Sequence, residues 1–367
     1  MKSLNTAIGV LALSATAATA GGLDRSGQSV GILFETGNYA EFSFGNVTPN
    51  VTGTAVATLG GFSSGDMAGD YTQVAGAVKL SLGENLDAAV ILDQPFGADV
   101  AYPVLAMPPT VYFAAGSVAV LNTTAITGVL KYRTPSNISV FGGLRYEKMD
   151  ARATVPFVNS YNVNGASDGG LGYLVGVAFE KPEIALRVAL TYNSKIKHEL
   201  PTVESTSSIT NVASVTTINA PQSLNLEAQT GIAKDTLLFG SARWVDWSSF
   251  KIDPANYPPA DPLVSYGGDV ITYTLGLGRR LNENWAVAAS INYDTPIGGF
   301  SSNLGPTDGK RGVTLGATYT KDNFKITGGL SYVKLGDTQT TLDDVNAASN
   351  FTGNKAVGLG VKVGFTF

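Results

Sequence analysis

Apolar side chains alternate with small or polar ones along most of the chain. This period of two is typical of β-strands, in which successive side chains point to opposite faces of a sheet. In the last such stretch, one face carries Val357, Leu359, Val361, Val363, Phe365 and Phe367, and the other carries Ala356, Gly358, Gly360, Lys362, Gly364 and Thr366. The pattern predicts a strand with lipid on one side and a lumen on the other.

Fourteen stretches of this kind are predicted, an even number, as single-chain bacterial barrels have. They cover 38–47, 70–82, 86–94, 116–133, 137–151, 169–180, 183–198, 222–233, 236–250, 268–281, 285–294, 310–320, 324–336 and 354–367. Short turns such as 134–136 alternate with long loops such as 199–221, as expected for periplasmic and outer connections. The predicted fold is all-β, a transmembrane antiparallel β-barrel of about fourteen strands.

Composition favours the barrel over a soluble β-sandwich. The chain is 14% charged, whereas ordinary soluble domains are about 25% charged. The face opposite the apolar one consists mostly of Gly, Ala, Ser and Thr rather than Lys and Glu. With a net charge of −5 and its 24 Lys and Arg scattered singly, the sequence gives no sign of nucleic-acid binding. The chain has no Cys, which excludes disulfides and thiol catalysis.

The N-terminus predicts export. Residues 1–20 combine Lys2, an apolar core from Ala7 to Leu13 and a small-residue ending, Ala18-Thr19-Ala20. This is typical of a cleavable signal peptide, although a short buried helix is the alternative. We expect residues 1–20 to be the signal peptide, 21–37 a short segment preceding the barrel, and 38–367 the barrel in the bacterial outer membrane.

Several segments, in order along about 320 residues, resemble the FadL family of outer-membrane transporters of long-chain fatty acids and other hydrophobic compounds. The resemblance rests on Arg243-Trp244-Val245-Asp246-Trp247-Ser248-Ser249-Phe250, Asn284-Trp285, Tyr293-Asp294-Thr295-Pro296, Pro306-Thr307-Asp308-Gly309-Lys310-Arg311, Leu190-Thr191-Tyr192-Asn193-Ser194 and Phe42-Ser43-Phe44-Gly45. It implies a fourteen-stranded barrel whose lumen is closed by an N-terminal plug. It also implies passive uptake by capture on outer loops, binding in the lumen and lateral release through a kinked third strand.

The third predicted strand ends in Pro95, Phe96 and Gly97, which we assign as the lateral gate. Proline donates no ladder hydrogen bond and glycine marks bends, so a gap in the wall is physically sensible there, but an ordinary strand end is the alternative. The plug departs from the family pattern, because residues 21–37 lack its Asn-Pro-Ala motif. Within this short plug, the apolar residues expected against ligand or wall are Val30, Ile32, Leu33 and Phe34.

Further candidate ligand contacts come from an apolar loop and from basic residues. The loop between the third and fourth predicted strands is largely uncharged, and its Tyr102, Leu105 and Met107 are candidates for an apolar landing surface. The alternative is packing against neighbouring loops. A fatty acid carboxylate favours a basic partner. Arg145 falls on a lumen face, and Arg152 matches an Arg in an Ala-Arg-Ala segment of the family, but either could instead belong to a lumen salt bridge.

The sequence predicts no enzyme, no metal site and no cofactor. The one histidine, His198, is interpreted as a solvated residue at a strand end, since no flanking motif supports a lipase. The expected partners are a hydrophobic ligand, outer-membrane lipid and lipopolysaccharide, and the barrel-assembly machinery through the C-terminal Phe367. The barrel is expected to be a monomer. A water-filled porin for small polar solutes and a structural or adhesion barrel are the alternative functions.

Overall fold

A computed structural model describes residues 23–105 and 111–367, and fourteen strands of this region form a closed antiparallel barrel. Numbered in chain order, they are β1 (Tyr39–Asn50), β2 (Tyr71–Ser81), β3 (Leu86–Asp93 and Gly97–Ala101), β4 (Val118–Arg133), β5 (Ile138–Val155), β6 (Tyr161–Lys181), β7 (Leu186–Asn193 and Ile196–Ser205), β8 (Val212–Ala220 and Ser223–Ala233), β9 (Thr236–Val245), β10 (Val270–Arg280), β11 (Trp285–Asp294), β12 (Lys310–Lys321), β13 (Phe324–Leu335) and β14 (Lys355–Thr366). Strands β3, β7 and β8 are each interrupted once. The predicted fold class is confirmed.

The ring closes through β1. Tyr39 lies opposite Thr366 of β14 on one side and opposite Lys79 of β2 on the other. The predicted alternation of faces is also confirmed: Leu359 of β14 is 62% exposed, whereas Ala356, on the opposite face of the same strand, is 1% exposed. The barrel therefore presents apolar side chains outward, as a strand in contact with lipid must.

Two belts of exposed aromatic residues mark the edges of this apolar surface. On the outer side lie Tyr273, Tyr293 and Tyr332, near the strand ends, and Tyr146 and Tyr173, whose strands β5 and β6 extend farther outward. Near the short turns lie Trp285, Phe324 and Phe367. Because aromatic side chains favour the level of the lipid headgroups, these belts define the outer and periplasmic interfaces.

Several strands are longer than the sequence predicted. The segment 199–221, predicted as a loop, is mostly strand, because β7 continues to Ser205 and β8 already begins at Val212. The loop predicted over 152–168 shrinks similarly, since β5 ends at Val155 and β6 begins at Tyr161. These extensions stand above the outer aromatic belt, where no lipid face is required. They therefore lack the apolar alternation on which the prediction depended.

The outer connections form a small sheet of their own. It comprises Thr52–Ala55, Ser63–Asp66, Phe300–Ser301, Thr338–Thr341 and Ala347–Phe351, and a separate two-stranded ribbon joins Lys251–Ile252 to Val264–Ser265. In the described part of the chain, four short 3-10 helices cover Gly31–Phe34, Ala57–Leu59, Pro182–Ile184 and Trp247–Ser249. Within the described ranges, no helix is long and apolar enough to span a bilayer.

The N-terminal segment runs inside the barrel from residue 23 to residue 37. It starts beside the interruption in β3, where Asp24 forms a β-bridge with Phe96. It ends near the periplasmic turns, where Lys79 of β2 donates a hydrogen bond of 2.7 Å to the carbonyl of Glu35. This segment occupies the position expected of a plug. The predicted signal peptide (1–20), together with Gly21 and Gly22 of the predicted plug, lies outside the described residues.

Candidate functional site

The interruption in β3 leaves a gap in the barrel wall. Both parts of β3 pair with β4, but the register changes by one residue, from Asp93 opposite Ala125 to Gly97 opposite Asn122. Strand β2 pairs with the first part alone, and its ladder with β3 ends at Gly76. Residues 71–75 of β2 therefore have no strand pairing on this side. The wall closes again farther out at an isolated bridge between Ala68 and Val100.

Two glutamine side chains span this gap. The backbone N–H of Val74 donates a hydrogen bond of 2.9 Å to the side-chain oxygen of Gln94. The side-chain amide of Gln73 donates to the Gln94 carbonyl at 3.4 Å. Side-chain hydrogen bonds thus replace the backbone ladder that would otherwise close the wall. The boundary between β2 and β3 is therefore weaker at residues 71–75 than along the paired residues 76–81.

The N-terminal segment is bound to the same interruption. The carbonyl of Pro95 accepts hydrogen bonds from the N–H groups of Arg25 at 2.7 Å and Ser26 at 3.4 Å, and the N–H of Gly97 donates to the Leu23 carbonyl at 2.8 Å. A Cβ atom on Gly97 would lie 2.4 Å from Cζ of Arg25, so a larger residue here would displace the Arg25 guanidinium. Plug and interruption form one hydrogen-bonded unit.

Phe96 turns away from lipid and into the lumen. It is 2% exposed, and its ring packs edge-on against Trp247 with the ring centroids 5.8 Å apart. The Thr123 hydroxyl accepts a hydrogen bond from the Phe96 N–H at 2.8 Å and donates to the Phe96 carbonyl at 2.7 Å. The backbone groups that lost their ladder partners are satisfied in this way.

An apolar chamber fills the outer half of the lumen above Phe96. It encloses a cavity of about 140 Å³. The side chains that line it, or pack beside it, are mostly apolar and come from the plug, five barrel strands and the outer connections: Leu23, Ala98, Val100, Leu121, Ala151, Leu200, Ile218, Trp247, Phe250, Val264, Tyr266 and Leu304. Such a chamber suits a ligand that buries apolar surface.

Ionic contacts hold the plug along its length. Asp24 accepts from Arg243 of β9 at 2.6 Å, and Arg25 donates to Asp99 at 2.6 Å. Lower in the barrel, Lys131 donates a 2.5 Å hydrogen bond to the Leu33 carbonyl. Such charge-assisted hydrogen bonds are among the stronger polar contacts in proteins. They fix the plug in the described position.

The four apolar plug residues predicted as ligand contacts pack against the wall. Val30, Ile32 and Leu33 are at most 4% exposed and join a cluster on the periplasmic half of the lumen. The ring of Phe34 lies edge-on to Phe141, and the guanidinium of Arg187 sits 4.4 Å from its centroid. A second cavity of about 880 Å³ extends from the gap in the wall, at Gln73 and Gln94, along the plug to the periplasmic end, where Glu35, Asp87, Arg187 and Lys325 line it. The chamber is thus mostly apolar, whereas the second cavity mixes apolar and charged side chains.

The apolar loop after β3 is divided between packing and exposure. Tyr102 is 3% exposed, its ring stacks on Tyr112 with the ring centroids 5.5 Å apart, and its hydroxyl donates to the Asn303 carbonyl at 2.6 Å. Burial raises the pKa of both tyrosines, so both stay neutral. Leu105, in contrast, is 63% exposed on the outer surface. Met107 lies outside the described residues.

The basic residues predicted as carboxylate partners lie apart. Arg145 is 3% exposed on the lumen side of β5, where its Nε donates to the Thr127 hydroxyl at 2.9 Å. Its Nη1 has no hydrogen-bond partner among the described residues. Arg152 is exposed at the edge of the chamber lining. The structure therefore does not bring these two side chains together at one headgroup site.

His198 is fully buried, so its interpretation as a solvated strand-end residue is wrong. Its Nε2 lies 3.3 Å from Oε1 of Glu147, a carboxylate that is itself buried. The ladder between β6 and β7 is interrupted here, and Ile196 fills the space that a side chain on Gly170 or Gly172 would occupy. Because β7 leans inward over these glycines, its His198 is drawn into the lumen.

Sequence reasoning missed most of the residues that form the chamber. Leu121, Leu200 and Ile218 are core residues of the chamber, and each is at most 3% exposed. Two of them lie in the parts of β7 and β8 that were predicted as loop, which hid their inward positions. Trp247 and Phe250 stood in a recognised motif. Their spacing of three residues, with a 3-10 turn between them, was the available signal that both face inward.

These features together define an outer-membrane β-barrel transporter with a plugged lumen. The profile of the family described as "Outer membrane protein transport protein (OMPP1/FadL/TodX)" matches residues 113–367. The chain belongs to this family, whose members are transporters of hydrophobic compounds rather than enzymes, and it is a protein of the bacterial outer membrane.

Solved structures support the same fold. A FadL homologue of Pseudomonas aeruginosa superposes with a TM-score of 0.74 at 13% identity, covering 96% of this chain and 97% of the other. The Pseudomonas putida toluene transporter TodX gives 0.67 at 12% identity, with 96% and 97% covered. The monoaromatic hydrocarbon channel CymD gives 0.58 at 12% identity, with 91% and 90% covered. A search of curated proteins finds no match to the chain.

Proposed function

We propose that this protein takes up long-chain fatty acids or other small hydrophobic compounds by passive diffusion. The ligand is captured by outer loops, held in the apolar chamber and released sideways between β2 and β3 at Pro95, Phe96 and Gly97. The observation that carries this proposal is the unpaired seam of residues 71–75, which is spanned by the side chain of Gln94. The seam meets the apolar chamber at Tyr71 and the second, larger cavity at Gln73, Val74 and Ala75.

Lateral release has a physical rationale. A hydrophobic solute that left through the periplasmic half of the lumen would pass the charged side chains of the second cavity and then enter water. Each buried CH₂ group moved into water costs about 0.8 kcal/mol. An exit through the wall into the lipid avoids this cost.

The chamber size bears on the ligand. A cavity of about 140 Å³ is close to the roughly 150 Å³ of an engineered cavity that holds benzene. A single aromatic ring therefore fits the chamber as it stands. A long acyl chain exceeds this volume and would extend through the open side of the chamber or displace the plug or the outer loops.

Deletion of Pro95 tests the lateral exit. The register between β3 and β4 changes by one residue across the interruption, so removing one residue there restores a single register along both parts of β3. The matched control is Pro95→Ala, which removes the ring but keeps the extra residue. Uptake of labelled oleate and of labelled toluene is measured in cells that lack the gene and carry each variant.

We expect wild type and Pro95→Ala to restore uptake, and the deletion to lose most of it while remaining folded in the outer membrane, as judged by heat-modifiable electrophoretic mobility. Full uptake by the folded deletion variant would contradict lateral release. Unchanged uptake of both compounds after loss of the gene itself would contradict both as substrates.

A further inference from the structure

Three basic residues form a row across neighbouring strands on the outside of the barrel. Arg311 of β12 lies directly opposite Lys334 of β13, and Lys334 lies directly opposite Lys355 of β14. All three are exposed and share the face of the lipid-facing residues two positions away, Val313 and Tyr332 among them. The apolar surface of these strands therefore ends, on its outer side, in a line of positive charge.

This arrangement is unfavourable for the protein alone. Neighbouring strands lie about 4.8 Å apart, and like charges placed directly opposite each other destabilise a sheet. Within 23–105 and 111–367, no carboxylate comes within 4 Å of any of the three cationic groups. Inward-facing cations on the same strands, in contrast, have carboxylate partners: Lys310 pairs with Asp294 at 3.1 Å and Lys362 with Glu41 at 3.4 Å.

The row lies at the outer edge of the outer aromatic belt. Tyr293 of β11 is directly opposite Arg311, and Tyr332 precedes Lys334 by two residues on the same face. At the other end, Asn50 of β1 lies opposite Lys355. The Asn50 amide donates to Asp66 at 2.8 Å, and that carboxylate also accepts the N–H of Val51, so it is already engaged. The row is thus at the level of the headgroups of the outer leaflet.

We propose that Arg311, Lys334 and Lys355 bind the phosphate groups of lipopolysaccharide in the outer leaflet. Three successive strands place the charges over a span of about 10 Å, enough for more than one phosphate. The guanidinium can hold a phosphate through two hydrogen bonds, and the two ammonium groups add point charges. This site goes beyond the transport function, because it contacts the surrounding lipid and not the transported compound.

The test titrates the purified full-length protein in detergent with lipid A and follows binding by native mass spectrometry. The variant R311Q/K334Q/K355Q removes the row, and K181Q/K234Q/K321Q is the matched control, since it removes three exposed lysines at the periplasmic turns. Since each basic residue near an anionic lipid surface raises affinity about fivefold, we expect the row variant to lose lipid A affinity by about a hundredfold. The control variant should bind like wild type.

Two further arms identify the ligand. Dephosphorylated lipid A should bind wild type as weakly as lipid A binds the row variant, and inorganic phosphate should not compete at equal concentration. The charge-preserving variant R311K/K334R/K355R, checked for folding by electrophoretic mobility, should keep the affinity, and K334Q alone serves if the triple variant fails to fold. Equal lipid A affinity in wild type and the row variant, an equal loss in the control, or competition by inorganic phosphate would each overturn the proposal.

Discussion

Gly97→Ala should loosen the plug from the interrupted strand. The added Cβ atom would lie 2.4–2.6 Å from three atoms of the Arg25 guanidinium. Arg25 must then move, and it loses the 2.6 Å contact with Asp99 and its position over the Tyr71 ring, 4.1 Å from the centroid. Together these two contacts stabilise the docked plug by about 2 kcal/mol. This value is at the lower end of the range for charged contacts, because Asp99 is 30% exposed and solvent screens its charge.

A loss of about 2 kcal/mol in the free energy of plug docking corresponds to a roughly thirtyfold larger fraction of molecules in which the N-terminal segment has left β3. Because the chain has no cysteine, a single Leu23→Cys change provides a unique thiol at a site that is 9% exposed. We expect a maleimide to label this thiol roughly thirtyfold faster when Gly97→Ala is also present. The other plug anchors stay in place, so the barrel should remain folded.

Gly128→Ala is the matched control, since a Cβ atom there meets nothing within 4 Å. Its labelling rate should equal that of the parent protein. Equal rates for Gly97→Ala and the parent, or an equal increase in Gly128→Ala, would refute the coupling of plug and interruption through Arg25.

Two further predictions concern the outer loops. Tyr102→Phe removes the hydrogen bond to the Asn303 carbonyl and should lower the stability of the outer loops by about 1 kcal/mol, measured as a lower melting temperature. Tyr332→Phe, at an exposed site, should leave the melting temperature unchanged. Equal melting temperatures for the two variants would contradict this role of Tyr102. Hydrogen bonds from the Asn346 side chain and backbone lower the pKa of Asp343 to about 2. The Asp343 carboxylate therefore stabilises its turn fully above its ordinary pKa near 3.8, and this stabilisation is lost as the pH falls towards 2. An NMR titration midpoint near 3.8 would contradict this prediction.

The sequence was sufficient to predict the barrel, because each lipid-facing strand must alternate to satisfy the bilayer. The face of β14, from Val357 onward, was assigned from this period alone. Proline and glycine marked the end of the third predicted strand near Pro95, but its continuation over Gly97–Ala101 was predicted as loop.

The chamber could not be predicted in the same way. Leu200 and Ile218 lie above the membrane, where β7 and β8 alternate without a lipid face, so no period marked them as inward. The burial of His198 depends on β7 leaning over Gly170 and Gly172 of a different strand, which is a tertiary contact. The contact of Arg25 with Gly97 is likewise set by two segments more than 70 residues apart.

The measurement that tests the central claim most directly is uptake of labelled oleate and toluene by cells that lack the gene and carry Ala151→Trp. Ala151 lines the chamber, so a tryptophan there should fill the cavity of about 140 Å³ and abolish uptake of both compounds. Leu171→Trp, on the lipid face where Leu171 is 73% exposed, should support uptake like wild type. Undiminished uptake through a folded Ala151→Trp barrel would contradict a hydrophobic route through this chamber.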